Sequence, residues 1–119
     1  MHLINERTRE ALATDVEMAT TRRDRKKGLL GRDGLAPSAA IVLAPCAAVH
    51  TAFMRFAIDV LFLDGDGQVL KIERALPPWR IAVSLRARRV VECAAGRAEN
   101  VLPGDRLYLT PDSGASLRA

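Results

Sequence analysis

The sequence lacks most of what would commit a chain to a membrane, a disulfide scaffold or a metal site. It has 119 residues, with two cysteines, Cys46 and Cys93, and two histidines, His2 and His50. Two cysteines cannot form the framework that holds small extracellular domains together. They also lack the C-x-x-C or H-x-x-x-H spacing of a structural metal site, so no metal and no cofactor is expected. No apolar run approaches the ~20 residues of a spanning helix, so membrane insertion is not expected. The first fourteen residues carry Asn5, Glu6, Arg7, Arg9 and Glu10, which leave no room for an apolar export signal. The expected location is the cytoplasm, with both thiols reduced. Aromatics are few: Phe53, Phe56, Phe62, Trp79 and Tyr108 are the full set. Readers of single strands need exposed aromatics beside basic residues, so nucleic acid is not the expected ligand. Lysine is scarce too, three against fifteen arginines, within a net charge of +4. That basic excess leaves an acidic partner open.

What is present is enough chain for one domain spanning residues 1–119, able to bury a core without staples. No repeat or low-complexity segment interrupts it. The richest stretch is Pro45 to Ile72. Within it Ala57-Ile58-Asp59-Val60-Leu61-Phe62-Leu63 is a buried strand by length, branching and aromatic content. Asp64-Gly65-Asp66-Gly67 then supplies residues that accept positive φ, as a tight hairpin requires. Gln68 to Glu73 alternates polar and apolar, the pattern of a returning half-buried strand. The same four residues also resemble the start of a calcium loop, but its twelfth position is Ala75 where a glutamate is needed.

Upstream, His2 to Met18 reads as one or two extended segments. Thr21 and Asp24 form a short capping box for a helix over Arg22–Lys27 that stops at Gly28. That helix is polar all round, which suits a solvated turn anchored by Leu29 and Leu30, or a basic docking surface. Ala39 to Ala44 is a short apolar strand. Downstream, Pro77 and Pro78 interrupt the sheet, since neither can donate to a ladder. Brief strands are predicted at Ile81–Val83 and Val90–Cys93, a short helix over Ala95–Leu102, and a closing strand at Arg106–Thr110. The tail from Pro111 is expected to fray. Six to eight strands without a βαβ rhythm predict a mainly β fold, a small β-sandwich or distorted barrel with one or two short helices.

Asp59 is the most informative polar residue. Alternation puts Ile58, Val60 and Phe62 on one face and Asp59, Leu61 and Leu63 on the other, so the carboxylate is expected to be enclosed. It then needs a cation or several N–H donors, with Arg32, His50, Arg55 and Arg80 as candidate partners. The expected polar pocket comprises Arg32, Cys46, His50, Met54, Arg55, Asp59, Trp79, Arg80 and Glu92. Cys46 and His50, four apart, invite a nucleophile–base reading. A small buried-type cysteine among alanines is more often core filler, so no residue is assigned a catalytic role. Trp79, beside Pro78 and Arg80, either caps the core or lines a ligand cleft.

Several blocks in order resemble the DUF192 family, a group of small proteins of unknown function. They are Glu17-Met18-Ala19 with Gly28-Leu29-Leu30-Gly31-Arg32, His50 through Asp64, Val90-Val91-Glu92-Cys93-Ala94-Ala95-Gly96, and Gly104-Asp105. The resemblance covers roughly Val16 to Leu109 and implies a small sandwich-like β fold. Leu30 stands where the family usually has Met, and the two cysteines are not general family features. The favoured function is a noncatalytic domain that binds a small ligand or a protein through this pocket. The alternatives are a small cysteine- or carboxylate-dependent hydrolase or transferase, and a basic accessory protein. The last would bind nucleic acid or, as the resemblance implies, a secretion or pilus assembly partner. Oligomeric state is open.

Overall fold

The computed structural model describes residues 1–112. Ten strands follow one another: β1 His2–Asn5, β2 Ala11–Ala13, β3 Asp15–Ala19, β4 Ala39–Leu43, β5 Ala48–His50, β6 Ile58–Leu63, β7 Val69–Leu76, β8 Ile81–Val83, β9 Arg89–Ala94 and β10 Leu107–Thr110. One helix, α1 Arg22–Lys27, lies between β3 and β4. The N-terminal segment therefore holds three strands rather than one or two.

The strands form a five-stranded sheet in the order β3-β4-β9-β6-β7, a three-stranded sheet β10-β1-β2 and a two-stranded ribbon β5-β8. The five-stranded sheet is antiparallel except for β3 beside β4. A parallel neighbour needs a crossover, and α1 with its flanking loops supplies it. The sheets do not close on one another, so the fold is an open, layered β structure and not a barrel.

Both faces of the five-stranded sheet are covered. On one face Val42, Leu61, Leu63, Val91 and Cys93 pack with Leu3, Leu12 and Leu107 of the three-stranded sheet. On the other, Ile41, Leu43, Ile58, Val60, Phe62 and Val90 pack with Leu29 from the loop after α1, Met54 from the β5–β6 loop and Ala82 from the ribbon. All six residues of β6 are therefore buried, which is why its apolar run is continuous rather than alternating.

Local chemistry sets the ends of these elements. Thr21 Oγ1 accepts from Asp24 N at 3.1 Å, and the N–H of Gly28 donates to Asp24 O as the helix ends. In the β6–β7 hairpin Asp64 Oδ1 accepts from Asp66 N and Gln68 N, both at 2.9 Å. Gly67 sits at φ +85°, and a Cβ there would lie 2.4 Å from Leu107 O, so glycine is required by conformation and by space.

The helix expected over Ala95–Leu102 does not form; the segment is a run of turns. Gly96 takes φ 91°, outside the right-handed helical region, and the N–H groups of Gly96 and Ala98 donate to Asp59, both at 3.0 Å. Its carbonyls at Ala98 and Val101 accept from the Arg74 guanidinium. The positive φ at Gly96 ends helical continuation, and the segment closes successive i→i+3 turns held by side chains from the neighbouring strands. The expectation of a frayed tail falls largely on residues 113–119, outside the described residues.

Candidate functional site

Strand β9 alternates so that Val91 and Cys93 face the three-stranded sheet while Val90 and Glu92 face the other layer. Glu92 stands opposite Ile41 on β4 and Val60 on β6, both buried. The residue is 4 % exposed. Burial alone pushes its carboxyl up to about 7, because no cation and no donor offsets the lost hydration. It forms the floor of a cleft of about 280 Å³.

The cleft is walled by α1 and the loops around it. Arg25, Lys26 and Lys27 supply a basic rim, Leu29, Leu30 and Leu43 an apolar wall, and Cys46, Val49, His50 and Met54 the remaining side. The rim follows from α1's brevity: six residues end at Gly28, whose position brings the helix terminus over Glu92, with a built Cβ 3.7 Å from Glu92 Oε1. Arg25 is braced there by donating to Thr20 O at 2.6 Å. These basic side chains were not among the expected pocket residues. The available signal was the basic run stopping at Gly28, which periodicity reads equally well as a solvated turn.

Cys46 lies half-buried in the same cleft, and its Sγ donates to Ala48 O at 3.2 Å. Burial pushes its thiol up from the ordinary value, the opposite of an activated nucleophile. Cys93 is fully buried, and burial with the nearby Asp59 charge pushes it up to about 12. Both thiols are therefore protonated at neutral pH.

Asp59 is enclosed, 1 % exposed, but on the opposite face of the sheet from the cleft. Its oxygens accept three backbone N–H groups: Ala75 at 2.8 Å, Gly96 at 3.0 Å and Ala98 at 3.0 Å. The expected cationic partners are elsewhere. Arg32 pairs with Glu17 at 2.6 Å and Arg55 with Asp33, both on the surface. Arg80 points outward, and its backbone N–H donates to Thr51 Oγ1 at 2.9 Å. Asp59 thus holds a bulge: Ala75 has φ 49°, where β7 carries an extra residue against β6. This corrects the expectation of a cation at Asp59; of the two solutions open to a buried carboxylate, the chain uses N–H donors.

Trp79 neither caps the core nor lines the cleft. It is exposed on the ribbon and packs against Phe53. The nine expected residues therefore divide. Cys46, His50, Met54 and Glu92 share the cleft; Asp59 lies behind the sheet; Trp79 and Arg80 lie on the ribbon; Arg32 and Arg55 lie in surface pairs. Among the described residues no cluster of three or more His, Cys, Asp or Glu could hold a metal, and no helix is long and apolar enough to cross a membrane.

Comparison with known proteins adds the following. Residues 3–109 match the model of DUF192, described as an uncharacterized ACR. Two UPF0127 proteins match over 64 residues: one from Pyrococcus horikoshii is 39% identical, covering 51% of this chain and 55% of its own. One from Pyrococcus furiosus is 45% identical, covering 51% and 54% respectively. The chain thus spans about half the length of the curated relatives it matches. A crystal structure described as a putative transcription regulator from Sinorhizobium meliloti 1021 superposes with TM-score 0.77 at 26% identity, covering 90% of this chain and 89% of that one. A protein of unknown function from Novosphingobium aromaticivorans shares the fold with TM-score 0.73 at 22% identity, covering 79% and 74%.

Proposed function

The chain belongs to the DUF192 family of uncharacterised proteins, and from that premise we propose that it is a noncatalytic binding module whose cleft takes a small anionic ligand. The observation that carries this reading is Glu92. The residue is almost wholly enclosed, its carboxyl is pushed to about 7, and its oxygens make none of the described hydrogen bonds and open onto the cleft. A polar group with little access to water is completed by whatever enters its open side; here that side is the cleft. The rim of Arg25, Lys26 and Lys27 selects negative charge. A protonated Glu92 then donates a hydrogen bond to the anion, and the apolar wall accommodates a short aliphatic body.

The enzymatic alternatives have less support. Cys46 is spent on Ala48 O and raised in pKa, and Asp59 is spent on three N–H donors behind the sheet. Neither is poised to attack.

Calorimetric titration with short aliphatic and hydroxy carboxylates at pH 6 and pH 8 tests the reading. Affinity is expected to fall about tenfold or more as Glu92 ionises, since a carboxylate repels an anion it previously hydrogen-bonded. Glu92→Gln keeps a donor, so it should retain binding and lose most of that pH dependence. Lys27→Ala should weaken binding at both pH values. An absence of heat for every carboxylate, or an unchanged pH profile in Glu92→Gln, would remove the anion reading.

A second reading draws on the printed description of the Sinorhizobium meliloti structure and on the basic run Arg22–Lys27: binding to DNA through α1. It predicts a steep fall of affinity with salt. Gel-shift titration against random duplex at two ionic strengths separates it from the anion cleft.

A further inference from the structure

In the ribbon β5–β8, strand β8 reverses the usual burial rule. Ala82 is buried, while Trp79, Ile81 and Leu85 are 60, 78 and 89 % exposed and Val83 faces the same side. In β8 the small residue points in and the large apolar residues point out, the opposite of what burial of apolar area selects, while on β5 Val49 turns toward the core. Phe53, 72 % exposed, packs on Trp79 with ring centroids 4.6 Å apart. Both aromatics sit at positive φ, 66° and 67°, a conformation that bulky residues rarely adopt. The buried Thr51 holds them there. Its carbonyl accepts from Met54 N and Trp79 N, and its Oγ1 donates to Pro77 O at 2.6 Å and accepts from Arg80 N at 2.9 Å. The outward aromatic pair is therefore built into the backbone.

Charge on this face is predominantly basic, with Asp64 and Asp66 lining one hollow beside Arg86 and Arg88. Gly34 to Ile58 and Arg74 to Val91 contain no Asp or Glu. Arg80, Arg86 and Arg88 are exposed, and no described salt bridge includes them. Arg55, in the Phe53 loop, is tied to Asp33. Such a face repels a second copy of itself and favours a negatively charged surface. Among the described clefts none is lined by Trp79, Ile81, Val83 or Leu85. The exposed apolar side chains stand outside the described clefts, and a lipid surface needs no groove to receive them.

We propose that the β5–β8 face seats this protein on an anionic lipid surface. Phe53, Trp79, Ile81 and Leu85 enter the headgroup–acyl boundary while Arg80, Arg86 and Arg88 pair with headgroup phosphates. This is peripheral binding, separate from spanning, and it does not depend on the anion cleft.

Trp79 is the only tryptophan, so its emission reports on this face alone. Vesicles of phosphatidylglycerol with phosphatidylcholine should shift that emission to the blue, and brominated acyl chains should quench it. Partition should weaken with salt and be at least about tenfold weaker on pure phosphatidylcholine. Leu85→Ser should melt as the wild type does and sediment with vesicles about tenfold less well. The proposal fails if the protein does not sediment with anionic vesicles. It fails equally if sedimentation leaves Trp79 unshifted and unquenched, or if Leu85→Ser partitions as the wild type. A blue shift that grows with protein concentration without lipid would assign the face to a second copy. A larger shift with polyglutamate than with vesicles would assign it to an acidic protein; either result overturns the proposal.

Discussion

Two carboxyl groups on neighbouring strands of one sheet meet opposite fates, and the difference is donors. Asp59 on β6 is surrounded by three backbone N–H groups, whereas Glu92 on β9 is desolvated, makes none of the described hydrogen bonds and opens only onto the cleft. Glu92 is therefore held at about 7 in the fold, above its ordinary 4.5. Between these values the folded state binds the extra proton, so stability is full below about 4.5 and falls as pH rises through 7. Glu92→Gln removes that slope. Urea unfolding from pH 5 to pH 8.5 should show the wild type losing up to about 3 kcal/mol relative to the variant. Parallel curves for the two proteins would mean that the carboxyl is hydrated.

At the scale of elements, Asp59 is a clasp rather than a ligand. One carboxylate joins the β7 bulge at Ala75 to the turns after β9, and Arg74, one residue before the bulge, binds the same turns from the other side. Asp59→Ala leaves three N–H groups without acceptors and should cost roughly 3 kcal/mol. Hydrogen exchange should show lost protection at Gly96 and Ala98 first. Unchanged protection there, with an unchanged melting midpoint, would show that the clasp carries no load. Helix α1 behaves differently: its cap and stop are written within eight consecutive residues, Thr21 to Gly28, so its extent was legible without the rest of the fold.

Over the whole molecule, the N-terminal hairpin is secured to the chain's far end by Asp105. Its carboxylate accepts from Arg7 Nε at 2.7 Å, Asn5 Nδ2 at 2.9 Å and Leu102 N at 2.9 Å. The Arg7 guanidinium, with Asn5 and the Leu102 N–H, holds it down to about 2 from 3.8. A depressed pKa contributes stability that is present above about 4 and lost as pH falls through 2. Asp105→Asn should lower Tm on the order of 5 °C at pH 7 and by progressively less toward pH 2. Equal loss at both ends would point to geometry rather than charge.

Local signals in the chain were sufficient for the continuous burial of Ile58–Leu63, the Asp64–Gly67 hairpin, the six-residue helix and the mainly β class, because each depends on residues within a few positions of one another. The enclosure of Asp59 was legible too, from the alternation of its strand. Its partners were not, since a backbone N–H has no sequence signature and those at Gly96 and Ala98 arrive from nearly forty residues away. The same limit hid the cleft. Glu92 and the α1 rim meet only because a parallel crossover brings the helix across the sheet, and Ile81 and Val83 face solvent only because Ala82 is the side that packs. Period-two alternation states that two faces differ; which face is covered is decided by where distant strands come to lie.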